Sequence, residues 1–168
     1  PVHRARIWAA KGGRFVSELN VWPDGEHLAS AARPLGERWT DIFVSLPDGT
    51  GERNLTQHPA RDWHPVWSLD GQFIYFESDR NLHGEIFKVR SDGTRLWNIS
   101  QNPADNESFD LSPDGSKIVF ERTNFNARTQ VVLIIASADG ADQRVLVTSG
   151  WKARWSPDGQ WIFYMRSG

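Results

Sequence analysis

Cysteine is absent from the 168 residues of this chain, and methionine occurs once. The lack of cysteine excludes disulfide bonds, thiolate metal sites and cysteine nucleophiles, but it does not identify the cellular compartment. No apolar stretch approaches the roughly 20 residues of a membrane-spanning helix, since the longest, Val131 to Ala136, has the length of a strand. The formal net charge is -2 and no run of Lys or Arg occurs, so the chain has no basic surface for nucleic acid.

Catalytic signatures are also missing. The chain contains no Gly-x-Ser-x-Gly nucleophile elbow and no His-Glu-x-x-His, and Gly49-Thr50-Gly51 lacks the third glycine of a dinucleotide-binding loop. Three of the five histidines, His58, His64 and His83, come from one region, but their spacing matches no zinc pattern. We therefore expect no catalytic residue, no cofactor and no metal site.

Large aromatic side chains are abundant, because the chain carries nine Trp and nine Phe. Wide rings pack well between sheets, and no segment shows the sustained 3.6-residue apolar period of an amphipathic helix. Hydrophobic residues make up 39% and charged residues 24%, as in ordinary folded domains. The composition and pattern together predict an all-β fold with almost no helix.

A repeat with a period of about 45 residues organises the chain. Asp-Gly pairs begin at Asp24, Asp70, Asp114 and Asp158, each followed four residues later by Leu or Ile. Asp-Gly provides the left-handed backbone conformations that a tight hairpin needs, and its Asp is expected to cap its own turn. One repeat therefore contains four strands joined by two such turns and a loop. The second turn of the repeat falls at Asp48-Gly49, Asp92-Gly93 and Asp139-Gly140.

The second strand of each repeat is apolar at consecutive positions, as in Phe73 to Phe76 and Ile118 to Phe120. Such strands must be covered on both faces. Four-stranded units with this period are typical of β-propeller blades stacked face to face. We predict burial of the equivalent second-strand side chains, which are Ile74, Phe76, Ile118, Phe120, Ile162 and Tyr164.

The repeat resembles the WD-like repeat of TolB-type propellers, in which Ser-Pro-Asp-Gly precedes an Ile-x-Phe strand. Ser112-Pro113-Asp114-Gly115 carries this motif, and Phe76 to Arg80 leading to Glu85-Ile86-Phe87 looks like the second strand, loop and third strand. Trp22 in place of Ser and Leu69 in place of Pro depart from it. The resemblance implies an interaction hub of the bacterial cell envelope, with a periplasmic or extracytoplasmic location, while a cytoplasmic one stays open.

The repeat also indicates how the chain is divided. We expect residues 1–18, including Ile7-Trp8 and Phe15-Val16, to form N-terminal strands that could close a blade. Residues 19–168 are expected to form blades that start near 19, 63, 107 and 151, the last one incomplete. Because such propellers have roughly six or seven blades, about four indicate a partial ring. A start at Pro1 rather than Met suggests a removed leader or a piece of something larger.

Candidate binding residues follow from the face on which loops open in a propeller. Loops between blades, and those joining second to third strands such as 79–84 and 123–129, lie near the central channel, where binding residues concentrate. Trp63 and Trp151 stand outside the repeat frame, as hot-spot aromatics can. By contrast, Trp67 and Trp155 recur in register and are expected to pack between blades. The candidates are Asp62, Trp63, His64, Arg80, His83, Asn106, Glu107, Trp151 and Lys152.

The leading function is a non-catalytic scaffold for protein–protein interaction, similar to TolB. Alternatives are the substrate-filtering propeller of a larger prolyl-oligopeptidase-type peptidase, or a sugar-binding or lyase propeller with a channel-mouth site. A downstream hydrolase domain would favour the peptidase, and a divalent metal near His64 and His83 would favour the lyase. We expect protein partners, with no nucleic acid and no membrane insertion. Completion of the ring by another chain is favoured over a second copy or closure by residues 1–18.

Overall fold

The computed structural model of the chain describes residues 15–124 and 130–166. Every helix or strand assigned within these ranges is a β-strand, which confirms the predicted all-β fold. The described part of the chain accordingly contains no helix that could span a membrane. The predicted strand at Ile7-Trp8 and positions 125–129 of the predicted loop lie outside the described residues.

Four antiparallel sheets follow one another along the chain, and we call them blades 1 to 4. In each blade, strands that are consecutive in sequence are neighbours in the sheet. Blade 1 contains β1 (Val16–Val21), β2 (Leu28–Ala32), β3 (Asp41–Ser45) and β4 (Arg53–Asn54). Blade 2 contains β5 (Asp62–Trp67), β6 (Phe73–Ser78), β7 (Glu85–Arg90) and β8 (Leu96–Asn98). Blade 3 contains β9 (Asp105–Leu111), β10 (Lys117–Asn124), β11 (Gln130–Ser137) and β12 (Arg144–Val147), and blade 4 contains β13 (Trp151–Trp155) and β14 (Ile162–Met165).

The chain forms two compact units, and each is described by itself below. The first unit extends to Phe76 and includes Val89–Arg95, so it holds blade 1 and part of blade 2. The second unit comprises Glu77–Lys88 and the chain from Leu96 onwards, so it holds the rest of blade 2 with blades 3 and 4.

The hairpin turn between the first two strands shows why the repeat has its sequence. In blade 3, Gly115 adopts a φ of 71°, and its N–H donates to the Ser112 carbonyl at 2.8 Å. One Asp114 carboxylate oxygen accepts from the Ser112 hydroxyl at 2.6 Å and from the Ser116 N–H at 3.0 Å. The Ser112 hydroxyl oxygen in turn accepts from the Lys117 N–H at 2.9 Å. The aspartate therefore caps its own turn, as predicted.

Burial of the second strands agrees with the prediction in blades 2 and 3 but not in blade 4. The side chains of Ile74, Phe76, Ile118 and Phe120 are fully buried. Ile162 is only half-buried, and Tyr164 is 41% exposed, so the prediction is wrong for Tyr164. The reason is that β13 and β14 form a two-stranded sheet. No third strand of the described residues pairs with the outer edge of β14.

Successive blades are joined by a repeated contact between a carboxylate and a backbone N–H. In the second unit, Glu77 on β6 accepts from the Ser108 N–H at 2.9 Å, and Glu121 on β10 accepts from the Lys152 N–H at 2.7 Å. Both donors have positive φ, 51° and 54°, and they lie where the pairing register of β9 and β13 shifts. A positive φ is strained for residues other than glycine, so this bond holds the bulge in place.

Blade 1 makes the same contact from a different strand. The second-strand position that Glu77 holds in blade 2 is occupied by Ala31. Glu18 on β1 lies directly across from Ala31 in the antiparallel register, and its carboxylate accepts the N–H of His64. His64 has a φ of 52°. In blade 1 the carboxylate therefore comes from the neighbouring strand, and the N–H of the next blade still has its acceptor within the first unit.

A polar corner ends the fourth strand in blades 1 and 2. In blade 1 the Asn54 side-chain carbonyl accepts from the N–H groups of Thr56 and Gln57 at 3.1 and 3.2 Å. The Thr56 hydroxyl accepts from the Ile42 N–H at 3.1 Å. The corner at Asn98 repeats this arrangement. The Asn-x-Thr/Ser sequences that begin at Asn54 and Asn98 thus serve the backbone of the repeat.

Replacing the buried phenylalanine of blade 3 should destabilise the fold. We expect Phe120→Ala to lower the free energy of unfolding by roughly 2–5 kcal/mol, because it removes a fully buried ring and leaves a cavity. Ile118→Ala should fall in the same range. Urea denaturation followed by circular dichroism measures the change. The matched control Phe163→Ala removes a ring that is 65% exposed and should change stability by about 0.5 kcal/mol or less. Equal losses for the two phenylalanines would contradict the assigned register.

The turn carboxylates should titrate in a way that identifies their hydroxyl partners. The Ser112 hydroxyl, with the Ser116 N–H and hydroxyl, lowers the pKa of Asp114 from 3.8 to about 2. A lowered pKa in the folded state stabilises the turn above pH 3.8, and this contribution is lost as the pH falls through about 2. We expect Ser112→Ala to raise the pKa of Asp114 in an NMR titration. Ser156→Ala should leave Asp114 unchanged and raise the pKa of Asp158, which the Ser156 hydroxyl lowers. An unchanged Asp114 in Ser112→Ala would contradict this origin.

Candidate functional site

In the first unit, three of the predicted site residues begin a strand and do not lie in a loop between blades. Asp62, Trp63 and His64 are the first residues of β5. Asp62 is fully buried, and its carbonyl accepts from the Thr40 hydroxyl at 2.6 Å. Trp63 is half-buried, with the Arg61 guanidinium 4.9 Å from its ring centroid. Of these three, Trp63 presents the side chain most suited to an external contact.

In the second unit, four predicted site residues again lie in first strands. Asn106 and Glu107 belong to β9, and Trp151 and Lys152 belong to β13. Asn106 is fully buried and accepts from the Arg122 Nε at 2.7 Å. Burial lowers the pKa of Arg122, and the Glu85 carboxylate partly opposes this shift. Glu107 and Lys152 are exposed and Trp151 is half-buried, so these three side chains remain accessible.

The β6–β7 loop of the second unit holds the other two predicted residues, Arg80 and His83. Arg80 donates from its Nε to the Ser78 hydroxyl at 2.9 Å, and its guanidinium lies 4.8 Å from the Phe87 ring centroid. His83 places its Nε2 2.9 Å from a Glu85 carboxylate oxygen. Both side chains are therefore held by their own loop and strand.

The structure shows no grouping of metal ligands. Among residues 15–124 and 130–166, no set of three or more His, Asp or Glu side chains is arranged to hold a metal ion. His58 and His64 lie in the first unit and His83 in the second. Each of the latter two makes the contact with a glutamate already described, His64 through its backbone and His83 through its ring.

A cavity of about 500 Å³ opens in the first unit, at the end of blade 1 where β2 leads into β3. Asp41 lies at the start of β3 and is 5% exposed, although it lines the cavity. Its Oδ2 accepts from the Asn54 amide at 2.6 Å. Trp39 is 41% exposed, with the Arg38 guanidinium 4.6 Å from its ring centroid. The lining residues are Pro34, Glu37, Arg38, Trp39, Asp41, Asn54, Gln57, His58 and Pro59.

Sequence reasoning did not select this cavity. The β2–β3 loop of blade 1 differs in length and composition from its counterparts, so the repeat alignment provides no guide to it. One usable signal was present, since Trp39 is a tryptophan outside the repeat frame, which is the criterion that selected Trp63. Cavities of a few hundred Å³ with an aromatic wall and convergent polar groups are typical of binding sites.

The loops that join second to third strands carry exposed leucines. Leu35, in the β2–β3 loop, is 93% exposed, and Leu82, in the β6–β7 loop, is 99% exposed. Leu82 has a φ of 73°, and its N–H donates to the Asp79 carbonyl at 2.9 Å. The β6–β7 turn thus projects the Leu82 side chain into solvent, and Leu35 is similarly exposed in its own loop of the first unit.

Known proteins share this repeat at low identity. An uncharacterized protein of Agrobacterium fabrum is 28% identical over 159 residues, which cover 86% of this chain and 52% of that protein. The dipeptidyl-peptidase 5 of Porphyromonas gingivalis is 25% identical over 142 residues, which cover 82% of this chain and 20% of that protein. The chain thus spans about half of the first relative's length and a fifth of the second's.

The fold agrees with these sequence matches. The crystal structure of TolB from Acinetobacter baumannii superimposes with a TM-score of 0.72 at 19% identity, covering 86% of this chain and 36% of that one. The family model described as the TolB beta propeller domain matches residues 10–168. With its Asp-Gly hairpins and four consecutive antiparallel sheets, the chain belongs to the TolB β-propeller family.

Proposed function

We propose that this chain is a non-catalytic β-propeller scaffold for protein–protein interaction. The observation that carries the proposal is the pair of leucines, Leu35 and Leu82, at corresponding loops of blades 1 and 2. An apolar side chain held almost entirely in solvent on a structured loop has no role in the core. Covering such a side chain with a partner's surface removes apolar area from water, and loops on a rigid scaffold are where binding residues concentrate.

The non-catalytic part of the proposal is supported by how the polar candidates are used. The Glu85 carboxylate is 3% exposed and accepts from the Asn81 amide at 3.0 Å, and buried Asn106 accepts from Arg122. These groups are committed to hydrogen bonds within their own unit. A general base or nucleophile needs a free approach to a substrate atom.

Accessible residues among the sequence candidates are further candidate contacts, each within its own unit. Trp63 in the first unit, and Glu107, Trp151 and Lys152 in the second, are half-buried or exposed. Tryptophan is favoured at interaction hot spots because it offers a large rigid surface with one polar atom. We include these four residues, with a protein partner, in the proposal.

Location and domain limits belong to the same proposal. Membership of the TolB family supports a periplasmic or extracytoplasmic protein that binds its partner at the cell envelope. The proposed domain limits are N-terminal strands at residues 1–18 and propeller blades at residues 19–168.

A second candidate function is favoured by one relative. The chain matches a fifth of a bacterial dipeptidyl-peptidase at 25% identity. Under this alternative, the chain would be the propeller part of a larger peptidase. The presence of a hydrolase domain in the full-length protein decides between the two functions.

The loop leucines provide a direct test of the scaffold function. A photo-crosslinking amino acid placed at Leu35 or Leu82 should form adducts with a discrete partner in cell-envelope extracts. The same substitution at Leu69, which is 55% exposed in the β5–β6 turn, serves as the matched control and should not. Leu35→Asp combined with Leu82→Asp should reduce partner recovery at least tenfold. Identical adduct patterns at all three positions would contradict the proposed surface.

We also propose that another chain completes the ring. In the first unit the outward face of β1 exposes Leu19 and Val21, and in the second unit β14 exposes Phe163 and Met165, all by half or more. Apolar sheet faces of this kind are prone to association.

Association should be visible in solution. When the partner chain is absent, sedimentation of the purified chain should show concentration-dependent oligomers, because the exposed faces then pack against one another. Phe163→Asp together with Met165→Asp should shift the distribution toward monomer, whereas Leu69→Asp should not. A stable, compact monomer at every concentration would show that these faces need no partner chain.

A further inference from the structure

Blade 2 shows what the first carboxylate of the third strand requires. Glu85 begins β7 and is nearly inaccessible. One of its oxygens accepts from the Asn98 amide, and from the Ser100 hydroxyl at 3.3 Å. The other accepts from the Asn81 amide of the preceding loop at 3.0 Å, and the His83 Nε2 lies 2.9 Å from it. The loop thus supplies an amide donor to a buried acidic group.

Blade 1 carries the equivalent carboxylate without such a loop donor. Asp41 precedes Ile42 as Glu85 precedes Ile86, and its Oδ2 is bonded to Asn54 as Glu85 is to Asn98. Its other oxygen, Oδ1, is approached by the His58 backbone N–H at 3.5 Å, the limit for a hydrogen bond. The adjoining space is the cavity described above.

A buried carboxylate with only a long hydrogen bond at one oxygen is unfavourable. An ionised carboxylate can accept about four hydrogen bonds, and leaving a buried charged group undersatisfied costs free energy. Asp41 is only 5% exposed, yet it lines an open cavity. A nitrogen donor that entered the cavity could take the place that the Asn81 amide fills in blade 2.

The charges around the cavity favour a positively charged donor. Two carboxylates, Asp41 and Glu37, face one guanidinium, Arg38, with the His58 imidazole beside them. Arg38 lies over the Trp39 ring, which shows that this indole accommodates a cation. Hydrogen bonds from a cation to a carboxylate are roughly twice as strong as neutral ones.

We propose that this cavity binds a basic side chain, arginine or lysine, of a protein partner. The head group donates to Asp41 Oδ1, Glu37 contributes attraction at the rim, and the aliphatic stem packs on Trp39. Arg38 competes for the same indole and weakens binding. This inference rests on the proposed scaffold function, since it gives the chemistry of one contact that the partner makes.

The cavity can be tested with Nα-acetyl-arginine amide as the probe. Nine indole N–H signals are expected in a ¹⁵N-labelled spectrum, and Trp39→Phe identifies the one from Trp39. Titration should shift that signal saturably, with a Kd in the millimolar range. Asp41→Asn keeps the shape of the side chain and removes its charge, and it should weaken binding at least tenfold. The spectrum of that variant also reports whether it is folded.

Two comparisons separate charge from shape. Nα-acetyl-citrulline amide has the same length but is uncharged, because a carbonyl oxygen replaces one NH2 of the guanidinium, and it should bind at least tenfold more weakly. Arg38→Gln should tighten binding of the arginine probe several-fold, and Glu37→Gln should weaken it. The control Trp97→Phe removes an indole with similar exposure that lies 5.6 Å from Lys88 Nζ in the second unit, and should not affect the titration.

Each outcome decides the proposal. No saturable shift at Trp39, equal binding of arginine and citrulline probes, or unchanged affinity in both Asp41→Asn and Glu37→Gln overturns it. The leucine crosslinks are scored independently of the cavity. Adducts at Leu35 and Leu82 without probe binding would remove this inference and leave the scaffold function standing. Probe binding without adducts would keep the cavity as a site for basic side chains and would remove the leucine contacts from the scaffold proposal.

Discussion

A backbone N–H on the first strand of a blade donates to a glutamate of the blade before it, and the rest of the structure depends on this bond. Ser108 and Lys152 donate to Glu77 and Glu121. The donor residue has a positive φ, which is unfavourable for a side chain. The carboxylate offsets that cost by accepting a hydrogen bond from the N–H at the bulge. It thereby sets the bulge from which the remainder of each first strand continues.

The placement of this carboxylate also explains how far the repeat tolerates change. Blade 1 has Ala31 where a glutamate is expected, yet Glu18 on the adjacent strand supplies the oxygen. What the fold requires is an acceptor at one point in space, whichever strand carries it. Two further side chains support the same first strands. Asn20 accepts from the Trp67 N–H at 3.0 Å, and Asp110 accepts from the Trp155 N–H at 2.7 Å.

The way in which buried carboxylates are hydrogen-bonded also connects the fold with its proposed function. Blade 2 satisfies the Glu85 carboxylate with its own loop, whereas blade 1 leaves part of Asp41 open to a cavity walled by Trp39. The proposed site for a basic side chain lies where blade 1 omits the loop donor that blade 2 supplies. The residues around it can vary while the repeat stays intact, because the Asp41–Asn54 contact still holds the corner.

The sequence by itself determined the hairpins, the period and the fold class, because these depend on local turn chemistry and on apolar strands such as Ile118 to Phe120. It also placed Asp114 correctly as a turn cap. Only the tertiary structure decided that Asp62 and Asn106 are buried, that Tyr164 is exposed and that Asp41 lines a cavity. Burial depends on which strands cover a residue, and a cavity depends on what distant loops leave unfilled. Neither property is encoded in the spacing of a repeat, since both arise from side chains far apart along the chain.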